Sequence, residues 1–351
     1  MRVVVVGGTG NLGTSLVRAL AEDDDVESIL GIARRRPTLD VSKTEWVEAD
    51  VATDDLVSLF RGADTLVHLA WLIQPSRDEQ TLWRVNVEGS ARTFAAAAEA
   101  GVRTLIYASS VGAYSPGPKD RLVDESWPVG GVATSVYSRH KAEVERRLDD
   151  FETEHPGLRV VRMRPGLMFK RLAAAGIRRL FAGPFAPGSA LRPRLLPLLP
   201  EIADLRFQAV HTDDAAEALR LAILHEVRGA FNIAAEPVLD SDLLAELFDA
   251  RIVRVPTGLV RGTVSALWRL HLQPTPPGWL DLGLSVPLLD TARAHRELVW
   301  SPSRSGPDAL RELIRGLQEG AGDKTPPLSP RTSGPARARE LVTGLGRRSG
   351  V

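Results

Sequence analysis

The stretch Val3-Val4-Val5-Val6-Gly7-Gly8-Thr9-Gly10-Asn11-Leu12-Gly13 narrows the fold of this chain more than any other. Four consecutive β-branched residues suit a strand buried on both faces, as in a sheet covered by helices on either side. Glycines at 7, 10 and 13 then permit a chain reversal that side chains would block. Such a turn brings backbone N–H groups and the start of the next helix up to an anion, typically a pyrophosphate. A bare glycine pattern means little, but an apolar strand before it and a helical pattern behind it supply the confirming context.

The alternation continues downstream. Apolar runs predict strands at about 2–6, 28–33, 44–49, 64–69, 103–109 and 158–164, with helices near 11–22, 53–61, 78–100 and 137–153. This is the pattern of an α/β fold with a parallel sheet. After Pro165 the pattern loosens, and helices are expected near 212–225, 240–249, 258–270, 291–298 and 306–318. The reading is a dinucleotide-binding domain over 1–165, to which 205–235 returns, and a smaller discontinuous domain from 166–204 and 236–319. From 320 to 351 Gly, Pro, Ser and Arg without apolar periodicity predict a disordered tail.

Composition excludes several classes. The 44 basic and 44 acidic residues cancel, so no net field draws the chain to nucleic acid or an anionic membrane. No stretch has the length of charge-free apolar sequence that a membrane span requires. The absence of cysteine removes disulfides, thiolate metal sites and cysteine nucleophiles, and fits a cytoplasmic location. His68 and His211 lack companions at metal-ligand spacing, so no metal site is expected.

Chemistry concentrates in Tyr137-Ser138-Arg139-His140-Lys141. Four residues are just over one helical turn, so Tyr137 and Lys141 share a face. A phenol titrates near pH ~10, and a neighbouring ammonium lowers that value towards usable general acid–base chemistry. The end of the second strand speaks to the cofactor. Gly31-Ile32-Ala33-Arg34-Arg35-Arg36 carries no acid to hold a ribose 2′-hydroxyl, and its arginines suit the 2′-phosphate of NADP. Arg34 is the first candidate and Arg35 the second, with NAD as the alternative cofactor.

The glycine loop, Tyr107-Ala-Ser-Ser-Val-Gly-Ala-Tyr114 and the Tyr137/Lys141 pair together resemble the extended short-chain dehydrogenase/reductase family, of the NAD-dependent epimerase/dehydratase type. The resemblance spans roughly residues 1–235. It implies a Rossmann-type doubly wound parallel sheet with a smaller C-terminal substrate domain. It also implies cofactor contacts from Gly7, Thr9, Gly10, Asn11, Leu12 and Gly13, from Asp50 and Val51 after the third strand, and from Leu69 and Ala70 after the fourth. Asn86, Tyr137, Lys141, Pro165 and Gly166 complete the implied set. Ser110, rather than Ser109, aligns with the catalytic serine. The implied reaction is hydride transfer at the nicotinamide, with Tyr137 moving the substrate proton and Lys141 holding the phenol's pKa down.

Departures from the family pattern narrow the chemistry. Sugar-nucleotide dehydratases place an Asp-Glu pair after the serine, where this chain has Val111 and Gly112, which disfavours dehydration. Phe169-Lys170-Arg171 replaces the usual glycine turn. Trp71, Leu72, Ile73, Gln74, Leu167, Met168 and Phe169 suggest an apolar substrate wall. Arg171, Arg178 and Arg179 read as a solvated basic helix face, with binding of an anion as the alternative. His140 is expected to point away from the catalytic pair, and Trp268, Trp279 and Trp300 to fill the second-domain core. The expectation is a reductase or dehydrogenase for a small carbonyl or secondary alcohol. An epimerase that retains its cofactor and a non-catalytic dinucleotide-binding sensor or scaffold are the alternatives. A homodimer is expected through helices 78–100 and 137–153, with Leu82, Val87, Phe94, Val144 and Leu148 offering apolar surface.

Overall fold

The computed structural model describes residues 1–73, 77–182, 198–202 and 204–330. Seven parallel strands form the central sheet: β1 Arg2–Val6, β2 Ser28–Ala33, β3 Thr44–Glu48, β4 Thr65–His68, β5 Thr104–Ala108, β6 Arg159–Pro165 and β7 Gly229–Ile233. Their order is β7-β6-β5-β4-β1-β2-β3, so the winding reverses between β1 and β4. The fold is a Rossmann-like α/β fold.

The valine run of β1 is buried on both faces. Val3 and Val5 enter one core with Leu16 and Leu20 of helix Asn11–Ala21 and with Leu219 and Ile223 of helix Thr212–Leu224. Val4 and Val6 enter the opposite core with Phe94 and Leu148. Each of these valines is at most 1% exposed and contributes roughly 1.5–3 kcal/mol by burial.

A second lobe has its own core. Strands Leu167–Phe169, Phe207–His211 and Ala235–Leu239 form a small sheet against helix Gly306–Glu319, with Ala209, Leu239, Leu310 and Leu313 packed between.

Several expectations change. Helix 53–61 shrinks to Val57–Phe60 because the Asp55 carboxylate accepts from the Val57 and Ser58 amides and starts the helix late. Residues 207–211 join the second lobe's sheet, and the return to the central sheet comes through helix Thr212–Leu224 and β7. Ala294, Leu298 and Trp300 pack in the core beneath helix Asn11–Ala21, and Trp300 Nε1 donates to the Asp214 carbonyl at 2.8 Å. Trp300 therefore packs in the core of the central sheet.

Residues 320–330 are not a loose tail. Leu328 is 4% and Thr325 1% exposed, Asp323 pairs with Arg18 at 2.8 Å, and the Thr38 and Ala175 amides donate to the Lys324 and Ala321 carbonyls. Tertiary contacts order what lacks periodicity of its own. Residues 331–351 lie outside the described set. The five residues expected at a dimer surface are each at most 4% exposed and belong to the central core, so they are not available to a partner.

Candidate active site

The cleft opens at the carboxyl ends of β1 and β4, where open α/β sheets bind ligands. Gly7 has φ +89°, and a Cβ there would sit 2.6 Å from the Ala70 amide nitrogen. A Cβ on Gly13 would meet the Gly7 carbonyl oxygen at 2.4 Å, so this glycine lets helix Asn11–Ala21 lie against the turn. Gly10 caps that helix without a side chain, which leaves its first-turn amides to a ligand. The cleft has a volume of about 280 Å³.

Of the residues expected at the cofactor, Gly7, Thr9, Gly10, Asn11, Arg34, Val51, Leu69 and Ala70 line this cleft. The others do not. Leu12 and Gly13 are buried behind the loop, and Arg35 is exposed outside the lining. The Asp50 carboxylate is turned onto the Ala52 amide at 2.9 Å. Pro165 and Gly166 are committed to pairing, Gly166 N donating to the Ile233 carbonyl at 2.9 Å. The opposite wall, unforeseen, comes from Ala173, Gly176, Ile177, Arg179 and Leu180, with Pro327 and Leu328.

A smaller cavity of about 50 Å³ adjoins it, sharing Trp71, Leu72 and Ile73 and lined further by Asn86, Tyr137, His140 and Trp279. Asn86 lies in a π-helical turn, Arg84–Glu88, and its amide bonds both the Leu72 nitrogen and the Leu72 carbonyl at 2.7 Å. It thus fixes the wall shared by both cavities. His140 lines this cavity with Tyr137 rather than pointing away, because i+3 lies on the same helix face. Burial pulls its imidazole down to about 4, so it is neutral at pH 7. Gln74 lies outside the described residues.

Ser110 and Tyr137 are brought together. Burial raises the Tyr137 phenol above its ordinary value, and the neighbouring Ser110 side chain pulls it part of the way back. Ser110 Oγ also accepts from Gly112 N at 3.0 Å. A Cβ on Gly112 would come within 2.9 Å of the Tyr137 ring, which explains a glycine there. Ser109 is occupied elsewhere, its hydroxyl donating to Glu145 Oε1 at 2.5 Å.

Lys141 is placed differently from expectation. Its Nζ donates to the Ala108 carbonyl at 2.7 Å and lies 3.6 Å over the Trp71 indole. Burial brings its pKa down to about 7, with Glu145 acting in the opposite direction. The indole meets Tyr137 edge-on at 5.9 Å, so Trp71 contacts both members of the pair. The expected pull of Lys141 on the phenol is therefore replaced here by that of Ser110.

Two supporting groups escaped sequence reading. Glu145, one turn beyond Lys141, is 1% exposed and accepts from Arg164 Nε at 2.8 Å and Arg162 Nη1 at 3.1 Å. Burial alone would raise its carboxyl, but Arg164, Arg162 and Ser109 more than reverse this. Trp279, expected as core, lies tilted against Tyr137 with ring centres 4.8 Å apart and is itself met edge-on by Phe181 at 5.0 Å. Among the described residues no group of three His, Cys, Asp or Glu is placed to hold a metal ion, and no helix is long and apolar enough to cross a membrane.

Residues 3–234 match the NAD dependent epimerase/dehydratase family. The chain belongs to that family. It carries an enzyme domain of the extended short-chain dehydrogenase/reductase type. An uncharacterized protein of Mycobacterium tuberculosis is 27% identical over 331 residues, 93% of this chain, and the chain spans only 31% of that relative's length. The sterol-4-alpha-carboxylate 3-dehydrogenase (decarboxylating) of Candida albicans is 25% identical over 250 residues, 68% of this chain and 65% of the relative. A solved structure of a variant UDP-glucuronic acid 4-epimerase from Bacillus cereus, with UDP-4-deoxy-4-fluoro-glucuronic acid and NAD, superposes with a TM-score of 0.68. It covers 91% of this chain and 99% of its own at 16% identity, a likeness of fold.

Proposed function

We propose that this domain is an NADP-dependent oxidoreductase that reduces a small apolar carbonyl compound or oxidises the corresponding secondary alcohol. The observation that carries the reading is the meeting of Ser110 and Tyr137 beside a cleft that starts at an uncapped helix and a glycine turn. The residues present fit a dinucleotide. Gly7 and Gly13 are packed too closely for any side chain, and the walls Val6, Ile32, Ala49 and Val51 are apolar. Gly7, Thr9, Gly10 and Asn11 would hold the pyrophosphate, and Arg34 at the end of β2 favours a 2′-phosphate. Bound there, the cofactor supplies hydride transfer at its nicotinamide.

The chain's own residues supply the rest. Ser110 donates to the substrate oxygen, and Tyr137 gives or takes the proton on it. Lys141 contributes charge and, as the family resemblance implies, holds the nicotinamide ribose once Trp71 has moved from its ammonium. Trp71, Trp279 and Phe181 around Tyr137 make a wall suited to a flat apolar substrate. The name of the sterol dehydrogenase relative is in keeping with that wall. A panel of aromatic and alicyclic ketones assayed by NADPH and NADH consumption tests the proposal. Turnover that persists in Tyr137→Phe, or that prefers NADH, would count against it.

A second reading, an epimerase that keeps its cofactor, is supported by the enclosure of the cleft by residues 173–180 and 327–328. Dinucleotide that copurifies and survives dialysis would favour it.

A further inference from the structure

The smaller cavity, about 50 Å³, has room for roughly one or two water-sized groups, so it takes a substituent rather than a whole substrate. Three of its buried lining side chains are polar: Asn86, Ser135 and His140, at 2%, 2% and 4% exposed. Asn86 uses both ends of its amide on Leu72. Ser135 caps helix Val136–Glu154, its Oγ accepting from the Ser138 amide at 3.4 Å. His140 is the exception, since its Nδ1 is buried with no hydrogen-bond partner among the described residues. The ring lies edge-on to Trp83, with centres 5.4 Å apart, on the side of the helix that carries Tyr137. A buried polar atom without a partner costs stability, and an oxygen brought into the cavity by a ligand would meet that deficit.

Resting on the reading of Ser110 and Tyr137 as the site of the reacting oxygen, we infer that His140 hydrogen-bonds a second oxygen of the substrate, an uncharged hydroxyl or carbonyl set beyond the reacting carbon. Residues three apart on a helix have Cβ atoms about 5–6 Å from each other, and Tyr137 and His140 are such a pair. Groups so spaced suit two oxygens on non-adjacent carbons of one frame, for which Trp71 and Trp279 offer apolar faces in the same lining. A neutral imidazole has one donor and one acceptor, so it can serve either kind of oxygen. An anionic substituent is disfavoured. Burial keeps the ring neutral at pH 7, and no lysine or arginine lines this cavity among the described residues. The substrate class narrows to a hydroxy- or oxo-substituted alicyclic ketone, or the matching diol.

Reduction of cyclohexanone by the full chain with NADPH or NADH, compared as kcat/KM with that of 3- and 4-hydroxycyclohexanone, tests the assignment. The wild type is expected to favour at least one hydroxylated ketone by roughly 2–13-fold, the net worth of one neutral hydrogen bond. His140→Phe keeps a ring beside Trp83 but carries no nitrogen, and should abolish the preference. His140→Leu is read in its place if the larger ring does not fold. His140→Gln retains a neutral donor and acceptor and should keep part of the preference. A merely structural role for His140 lowers the rates on all three ketones together and leaves their ratios unchanged, which overturns the inference. A wild type that reduces the ketones without favouring either alcohol overturns it alone, as does one that prefers 4-oxocyclohexanecarboxylate to both. A wild type that reduces none of these ketones removes the carbonyl reading and this inference with it.

Discussion

Replacing Lys141 by methionine should change how stability depends on pH. The ammonium is 4% exposed, and burial brings its pKa from 10.5 to about 7. Between these two values the unfolded chain holds a proton that the folded chain has released. The unfolded state therefore binds more protons, and stability rises with pH across that window. At 1.36 kcal/mol per unit, the lysine costs about 4–5 kcal/mol at pH 6 and about 2 kcal/mol at pH 9. Methionine fills similar volume and carries no proton, so its variant lacks this slope. Urea unfolding of both proteins at pH 6, 7, 8 and 9 measures it. The wild type should gain about 2.5 kcal/mol on the variant between the ends of the series, all other titrating groups cancelling in the difference. A stability difference constant to within about 0.5 kcal/mol would mean that Lys141 titrates at its ordinary value. The argument from burial under Trp71 would then be wrong.

Ser110→Ala removes the hydroxyl that lowers the Tyr137 phenol, so the basic limb of the pH–rate profile should move to higher pH while turnover falls about 10²–10⁴-fold; an unmoved limb counts against that influence. Trp279→Ala opens the wall packed against Tyr137 and should raise KM by roughly 2–13-fold, the worth of ~0.5–1.5 kcal/mol of aromatic contact, with kcat largely retained. Steady-state kinetics on any accepted ketone reads this, and an unchanged KM rejects the wall. Gly13→Val drives a side chain into the Gly7 carbonyl and should cost about 1–3 kcal/mol of stability together with dinucleotide binding, seen by thermal melting and by titration with NADP+.

The central sheet was largely legible because its strands are consecutive apolar runs, as Val3–Val6 illustrates, and runs buried on both faces need no partner in sequence to be recognised. β7 was not, since Gly229-Ala-Phe-Asn-Ile233 is short and mixed, and becomes a strand only by pairing with β6. Tyr137, Lys141 and Ser110 could be read from local spacing and resemblance. Trp279 and Phe181 could not, because each reaches the site from a separate element and no periodicity connects them to Tyr137. Glu145 was within reach, as it repeats the four-residue step from Lys141. Its role depends on Arg162 and Arg164 from a neighbouring strand, a pairing that only tertiary structure supplies. Composition misled at 320–330 for a related reason. Backbone bonds to Thr38 and Ala175 order a segment that has no amphipathic pattern to announce it.

That last segment is tied at Arg18, Thr38 and Ala175 while Pro327 and Leu328 close one side of the cleft. The position of that wall is thus set by bonds made well outside the cleft, so a change at Arg18 or Thr38 reaches the lining through the backbone of 321–328 rather than through any residue that touches the cavity.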